Sequence, residues 1–122
     1  MGSVYAPELV AAVSGAGGLG AMGCHYLKPE QIQVGTAAVR KLTNRPFALN
    51  FLLFDIEDDT FASALDLRPA VIALAWPLPQ QDLKQYVERA HAAGCKVTFM
   101  AGGVPEAVRA AKAGADVIIA QG

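Results

Sequence analysis

Three side chains carry most of the chemical interest in this sequence: Asn50, His25 and Trp76. Asn50 stands inside the apolar run Phe47-Ala48-Leu49-Asn50-Phe51-Leu52-Leu53, where a carboxamide must find hydrogen-bond partners. Either it ties down neighbouring backbone or it presents an amide to a polar ligand, and the residues alone leave both readings open. His25 follows the strand exit Gly23-Cys24, and Trp76-Pro77-Leu78-Pro79 makes a stiff apolar loop after another strand. No Ser/His/Asp arrangement, Cys/His pair or metal cluster is apparent. His25 therefore reads as a loop histidine, and Trp76 as packing or as a substrate wall.

Other patterns weigh less. Asp55, Glu57, Asp58 and Asp59 cluster after the apolar run, as a solvated helix start does more readily than a metal site. Ala101-Gly102-Gly103 could let backbone approach a phosphate, although small residues equally suit a short turn. Gly15-Ala16-Gly17-Gly18-Leu19-Gly20 satisfies G-x-G-x-x-G. That dinucleotide fingerprint needs a strand before it and a helix after it. Here an Ala-rich helix precedes the glycines and a strand follows, so they mark a helix stop and a tight turn.

The elements that must hold these residues follow one repeated grammar. Ala-rich segments ending at Gly17, Gly94 and Gly114 each run into a short apolar stretch, as when a helix closes on a left-handed glycine before a strand. Pro7-Glu8, Pro29-Glu30 and Pro105-Glu106 open helices with a tolerated proline and a carboxylate that complements the dipole. The pattern predicts helices at 6–16, 28–42, 58–66, 80–93 and 104–113, and strands at 19–23, 47–53, 70–75, 96–100 and 116–120. The strands are continuous apolar runs, which suit a parallel sheet covered on both sides. The fold class is α/β, built of parallel βα units, as an open doubly wound sheet or a piece of a (β/α)₈ barrel.

A length of 122 residues allows one domain, here 1–122. Its hydrophobic fraction of 53% is rich for that size, so apolar surface is expected to be covered by a partner or by another copy, with a homo-oligomer the expected case. A net charge of -1 leaves no basic footprint for nucleic acid or for an anionic membrane. No apolar run reaches the ~18–20 residues of a membrane span. Cys24 and Cys95 read as reduced core thiols, which points to the cytoplasm.

Taken in order, the segments resemble the nitronate monooxygenase (2-nitropropane dioxygenase-like) family. The matching blocks are Pro7-Glu8-Leu9-Val10-Ala11-Ala12-Val13-Ser14 with Ala16-Gly17-Gly18-Leu19-Gly20, Tyr26-Leu27 with Pro29-Glu30, and Pro46-Phe47-Ala48-Leu49-Asn50. Further on come Ala92-Ala93-Gly94-Cys95-Lys96-Val97, Glu106-Ala107 and the run from Ala113 to Gln121-Gly122. The resemblance implies an FMN-dependent TIM barrel, of which this chain holds about strands 2–6. It implies oxidation of alkyl nitronates or nitroalkanes by FMN and oxygen, and the relatives include FMN-dependent enoyl reductases. A non-catalytic half-barrel is the third alternative. By the same resemblance Met1, Gly2, Ser3, Asn50, Gln121 and Gly122 would contact FMN, which moves Asn50 toward the ligand reading. His25 and Trp76 would lie on the substrate side. The family's catalytic histidine would lie beyond Gly122, so this chain alone is expected to be inactive.

Overall fold

The computed structural model describes residues 5–122. Helices and strands alternate as α1 (Pro7–Gly15), β1 (Gly20–Gly23), α2 (Pro29–Leu42), β2 (Phe47–Leu52), α3 (Asp58–Asp66), β3 (Val71–Ala75), α4 (Leu83–Ala92), β4 (Lys96–Ala101), α5 (Val104–Ala113) and β5 (Val117–Ala120), with a 3₁₀ turn at Leu53–Asp55. Each expected element is present. The largest shift is α4, which begins at Leu83 because Asp82 Oδ1 accepts the Lys84 backbone N–H at 3.1 Å and caps the helix there. Aspartate is among the best residues for that task. The repeated glycines act as read: Gly17, Gly94 and Gly114 have φ of 100°, 83° and 100°.

The five strands form one parallel sheet in the order β1-β2-β3-β4-β5. Sequential order decides between the two architectures. A doubly wound sheet reverses its strand order, whereas right-handed crossovers between successive neighbours put every helix on one face. Met22, Leu49, Phe51, Ile72, Leu74, Val97 and Phe99 accordingly share one core with Val10, Ile32, Val39, Phe61, Val87 and Ala110 of the helices. Side chains alternate along a strand, so Ala48, Asn50, Ala73, Ala75 and Thr98 lie on the opposite face. Ala48, Asn50, Ala75 and Thr98 are buried although they lie opposite the helix-facing core residues. A sheet curling over its own small side chains accounts for this, as in the wall of a barrel. The sheet is thus covered on both sides as expected: one face meets helices and the other curves inward.

Close approach fixes α1 against β1. A Cβ on Gly20 would stand 2.2 Å from the Val10 carbonyl oxygen, and the Gly20 N–H donates to Ser14 Oγ at 2.9 Å. The G-x-G-x-x-G run therefore serves a helix–turn–strand junction.

At the amino ends of the strands the layers are tied by polar latches. Asp116 N–H donates to Val97 O at 2.9 Å, and Val97 N–H donates to Asp116 Oδ2 at 2.7 Å. The same carboxylate oxygen meets His91 Nε2 at 2.8 Å, so His91 is a partner of Asp116. No helix among the described residues is long and apolar enough to cross a membrane.

Candidate functional site

Asn50 is the fourth residue of β2, paired with Gly23 of β1 and Ala73 of β3. Its side chain is 93% removed from solvent, given a relative exposure of 7%. Nδ2 donates to the Ala73 carbonyl oxygen at 3.3 Å, while Oδ1 is buried and has no hydrogen-bond partner among the described residues. The amide cannot be turned over, because Oδ1 facing a carbonyl would set two acceptors against each other. The backbone-tying reading therefore holds for one end of the amide, and the other end is left open. One end of the amide ties down β3, and the other is an unanswered acceptor, which costs about 1–3 kcal/mol when buried. Its neighbours Gly23, Ala73 and Ala75 are small.

The carboxyl ends of β1, β2 and β3 carry a row of rings. His25 lies 3.7 Å from Tyr26 and 5.3 Å from Phe54, centroid to centroid, and Phe54 lies 6.2 Å from Trp76. Tyr26 and Trp76 hold left-handed backbone, with φ of 65° and 56°. The rim is braced. Phe54 N–H donates to Trp76 O at 3.0 Å, and Gln81 bridges two segments by accepting from Leu78 N–H and donating to Leu53 O. Arg109 reaches over from α5 to donate to Leu78 O and Gln81 O at 3.2 and 3.0 Å. Beside the row a cleft of about 420 Å³ opens between the β1–α2 and β2–α3 connections, with His25, Tyr26, Lys28, Asp55, Ile56 and Thr60 among its walls.

His25, Asn50 and Trp76 thus sit at one end of the sheet. Gln121 lies at the same end, its N–H donating to Ala101 O at 3.0 Å. It is three strands from Asn50, roughly 14 Å at ordinary strand spacing, so a ligand touching both must be long. Gly122 is exposed, and Met1, Gly2 and Ser3 lie outside the described residues. The Gly102 N–H faces Glu106 Oε1 at 3.4 Å, which places a carboxylate where a phosphate would need open N–H groups. Burial pushes the Cys24 thiol up to about 12, outweighing the lowering hydrogen bond from the Asn50 backbone. Cys24 is therefore a core thiol and no nucleophile. No cluster of metal-ligating side chains occurs among the described residues.

Tyr26, Phe54, Gln81 and Arg109 escaped the sequence reading. They come from separate segments, and only the folded sheet brings them to one rim. The glutamine and arginine have no local signature of their long-range bonds.

A curled parallel sheet in sequential strand order with one helical layer defines a segment of a (β/α)₈ barrel. A profile of the nitronate monooxygenase family matches residues 1–63, and the chain belongs to that family. It is 29% identical to a probable nitronate monooxygenase of Staphylococcus saprophyticus, over 95% of this chain and 42% of the relative. It is 32% identical, over its whole length and 34% of the relative, to a Rhodococcus jostii dehydrogenase of 5-hydroxy-7a-methyl-1-oxo-octahydro-1H-indene-4-carboxyl-CoA. The structure of a nitroalkane oxidase from Streptomyces ansochromogenes superposes with a TM-score of 0.86 at 27% identity, over 99% of this chain and 44% of that one. The chain spans less than half the length of these relatives.

Proposed function

We propose that this chain supplies part of the flavin site of an FMN-dependent oxidoreductase that oxidises alkyl nitronates or nitroalkanes with oxygen. One observation carries the reading: the buried, unpartnered Oδ1 of Asn50, at the carboxyl ends of the strands, in a chain of this family. FMN would supply, when bound, the electron acceptor for the nitronate and the donor to oxygen. Asn50 Oδ1 would accept a ring N–H, held in place because Nδ2 is already committed to Ala73 O. Gln121 and Gly122 would line the far side of the same mouth, with Met1, Gly2 and Ser3 completing the FMN contacts. His25 and Trp76 would face the substrate. His91, bonded to Asp116 at the other end of the sheet, takes no part. Two buried free cysteines support a cytoplasmic setting.

A second reading has its own support. The 32% identity to a carboxyl-CoA dehydrogenase over the whole chain favours an FMN-dependent reductase or dehydrogenase of acyl thioesters, of the enoyl reductase type. FMN titration of the purified protein, followed by anaerobic mixing with propane-2-nitronate or with NAD(P)H, separates the two. Bleaching of the oxidised flavin band by the nitronate, which is already deprotonated and needs no catalytic histidine, is the expected result, while the neutral nitroalkane should leave the band unchanged. Bleaching by NAD(P)H alone favours the second reading, and failure to take up FMN contradicts both.

A further inference from the structure

We propose that the ring row at the strand exits is a subsite for a planar aromatic or fused-ring group of the substrate. This deepens the functional reading and rests on it only for the side of the sheet from which substrate approaches. The row runs from Tyr26 through His25 and Phe54 to Trp76, with successive centroids at 3.7, 5.3 and 6.2 Å. Three of its rings remain in water: Tyr26 is 78%, Trp76 53% and Phe54 40% exposed. Leaving that much apolar surface wet forgoes stabilisation, since burying one such side chain is favourable by roughly 1.5–3 kcal/mol.

The backbone under the row is costly as well. Tyr26 and Trp76 occupy left-handed conformations that bulky residues rarely adopt. Glycine would make either turn more cheaply, so the turns alone do not call for these rings. The Gln81 and Arg109 braces then hold the Trp76 side of the row before any ligand arrives, and preorganisation of this kind lowers the ordering cost of binding.

The chemistry of the row selects its occupant. It offers π faces without a fixed charge, and the planes of Phe54 and Trp76 lie within 32° of each other. A flat ring stacks on such a surface, whereas a puckered saturated ring of equal size meets it at fewer points. A short alkyl chain would cover one ring and leave the rest wet. The bound ring system would lie over the rim, with the reacting end of the substrate directed toward Asn50.

The chain contains a single tryptophan, so its one indole N–H resonance reports directly on Trp76. In the ¹⁵N-labelled protein, 2-(2-naphthyl)ethanol should shift that resonance saturably, and its saturated counterpart of equal size, 2-(decahydro-2-naphthyl)ethanol, should do so at least threefold more weakly. Tyr26→Gly relieves the strained φ while removing a ring. It should weaken naphthyl binding roughly threefold to tenfold without lowering the urea midpoint, and Phe54→Ala should weaken it likewise. Added FMN should leave the naphthyl response intact. Equal response to the two alcohols, or unchanged binding in both variants, overturns the proposal. Displacement of the naphthyl probe by FMN also overturns it, because the row would then be a shelf for the flavin. Loss of FMN binding with the naphthyl response retained removes the flavin reading and leaves the subsite standing.

Discussion

Asn50 shows what a single buried amide costs a fold and what it offers in return. Its Nδ2 joins β2 to β3, while its Oδ1 has no answering donor among the described residues. Replacing the amide by an apolar group of similar shape removes the unsatisfied acceptor along with one modest hydrogen bond. Asn50→Leu should therefore match the parent in stability or exceed it by about 1 kcal/mol in urea unfolding, while losing flavin affinity. A loss of stability larger than that would mean the amide serves the fold alone. Asp116 works in the opposite sense. Its carboxyl is held below the usual carboxylate range, first by the hydrogen bond with His91 and then by the Val97 N–H. A depressed folded-state pKa contributes stability above the unfolded value of 3.8, and that contribution is lost as pH falls through the folded value. Urea midpoints measured from pH 6 downward should fall less steeply below about pH 4 for Asp116→Asn than for the parent. Parallel curves would contradict the assignment.

At the scale of elements, close packing rather than turn propensity explains two glycines. A Cβ at Gly20 meets the Val10 carbonyl at 2.2 Å, and backbone cannot step aside. At Gly35 the obstacles are Tyr5 Cε2 at 2.6 Å and Met22 Sδ at 2.7 Å, both on side chains that can move. Gly20→Ala should destabilise by about 3 kcal/mol or more and Gly35→Ala by about 1–2 kcal/mol, an order that thermal unfolding would test. Elements of this kind were legible because their signals are local: proline and glutamate at helix starts, left-handed glycine at helix ends, apolar runs between. The start of α4 was less so, because Pro79 and Gln81 permit an earlier start, which the Asp82 cap and the bonds of Gln81 to Leu78 and Leu53 prevent. The site was legible in part. Asn50 stood out as a polar residue in an apolar run, whereas nothing in the local sequence marks Tyr26 or Phe54. Their meeting depends on strand register, and the Arg109 brace depends on the packing of α5 against the loop after β3.

For the whole molecule, sequential strand order and small residues on the concave face make a barrel wall whose mouth collects Asn50, His25, Trp76 and Gln121 at one end. Val104, Val108, Val117 and Ile119 are exposed along α5 and β5. Apolar surface beside a parallel sheet edge promotes association, so sedimentation velocity on this 122-residue chain should show a concentration-dependent homo-oligomer. A monodisperse monomer across the range would contradict that expectation. The central claim is that the strand-end mouth receives flavin through Asn50. It is tested most directly by following the Asn50 side-chain amide in ¹⁵N–¹H spectra during FMN titration. The account predicts saturable shifts of the Asn50 Nδ2 protons and of the Gln121 amide, with His91 and Asp116 unmoved. FMN-induced shifts confined to the His91 end of the sheet, or an unchanged Asn50 amide at saturating FMN, would contradict it.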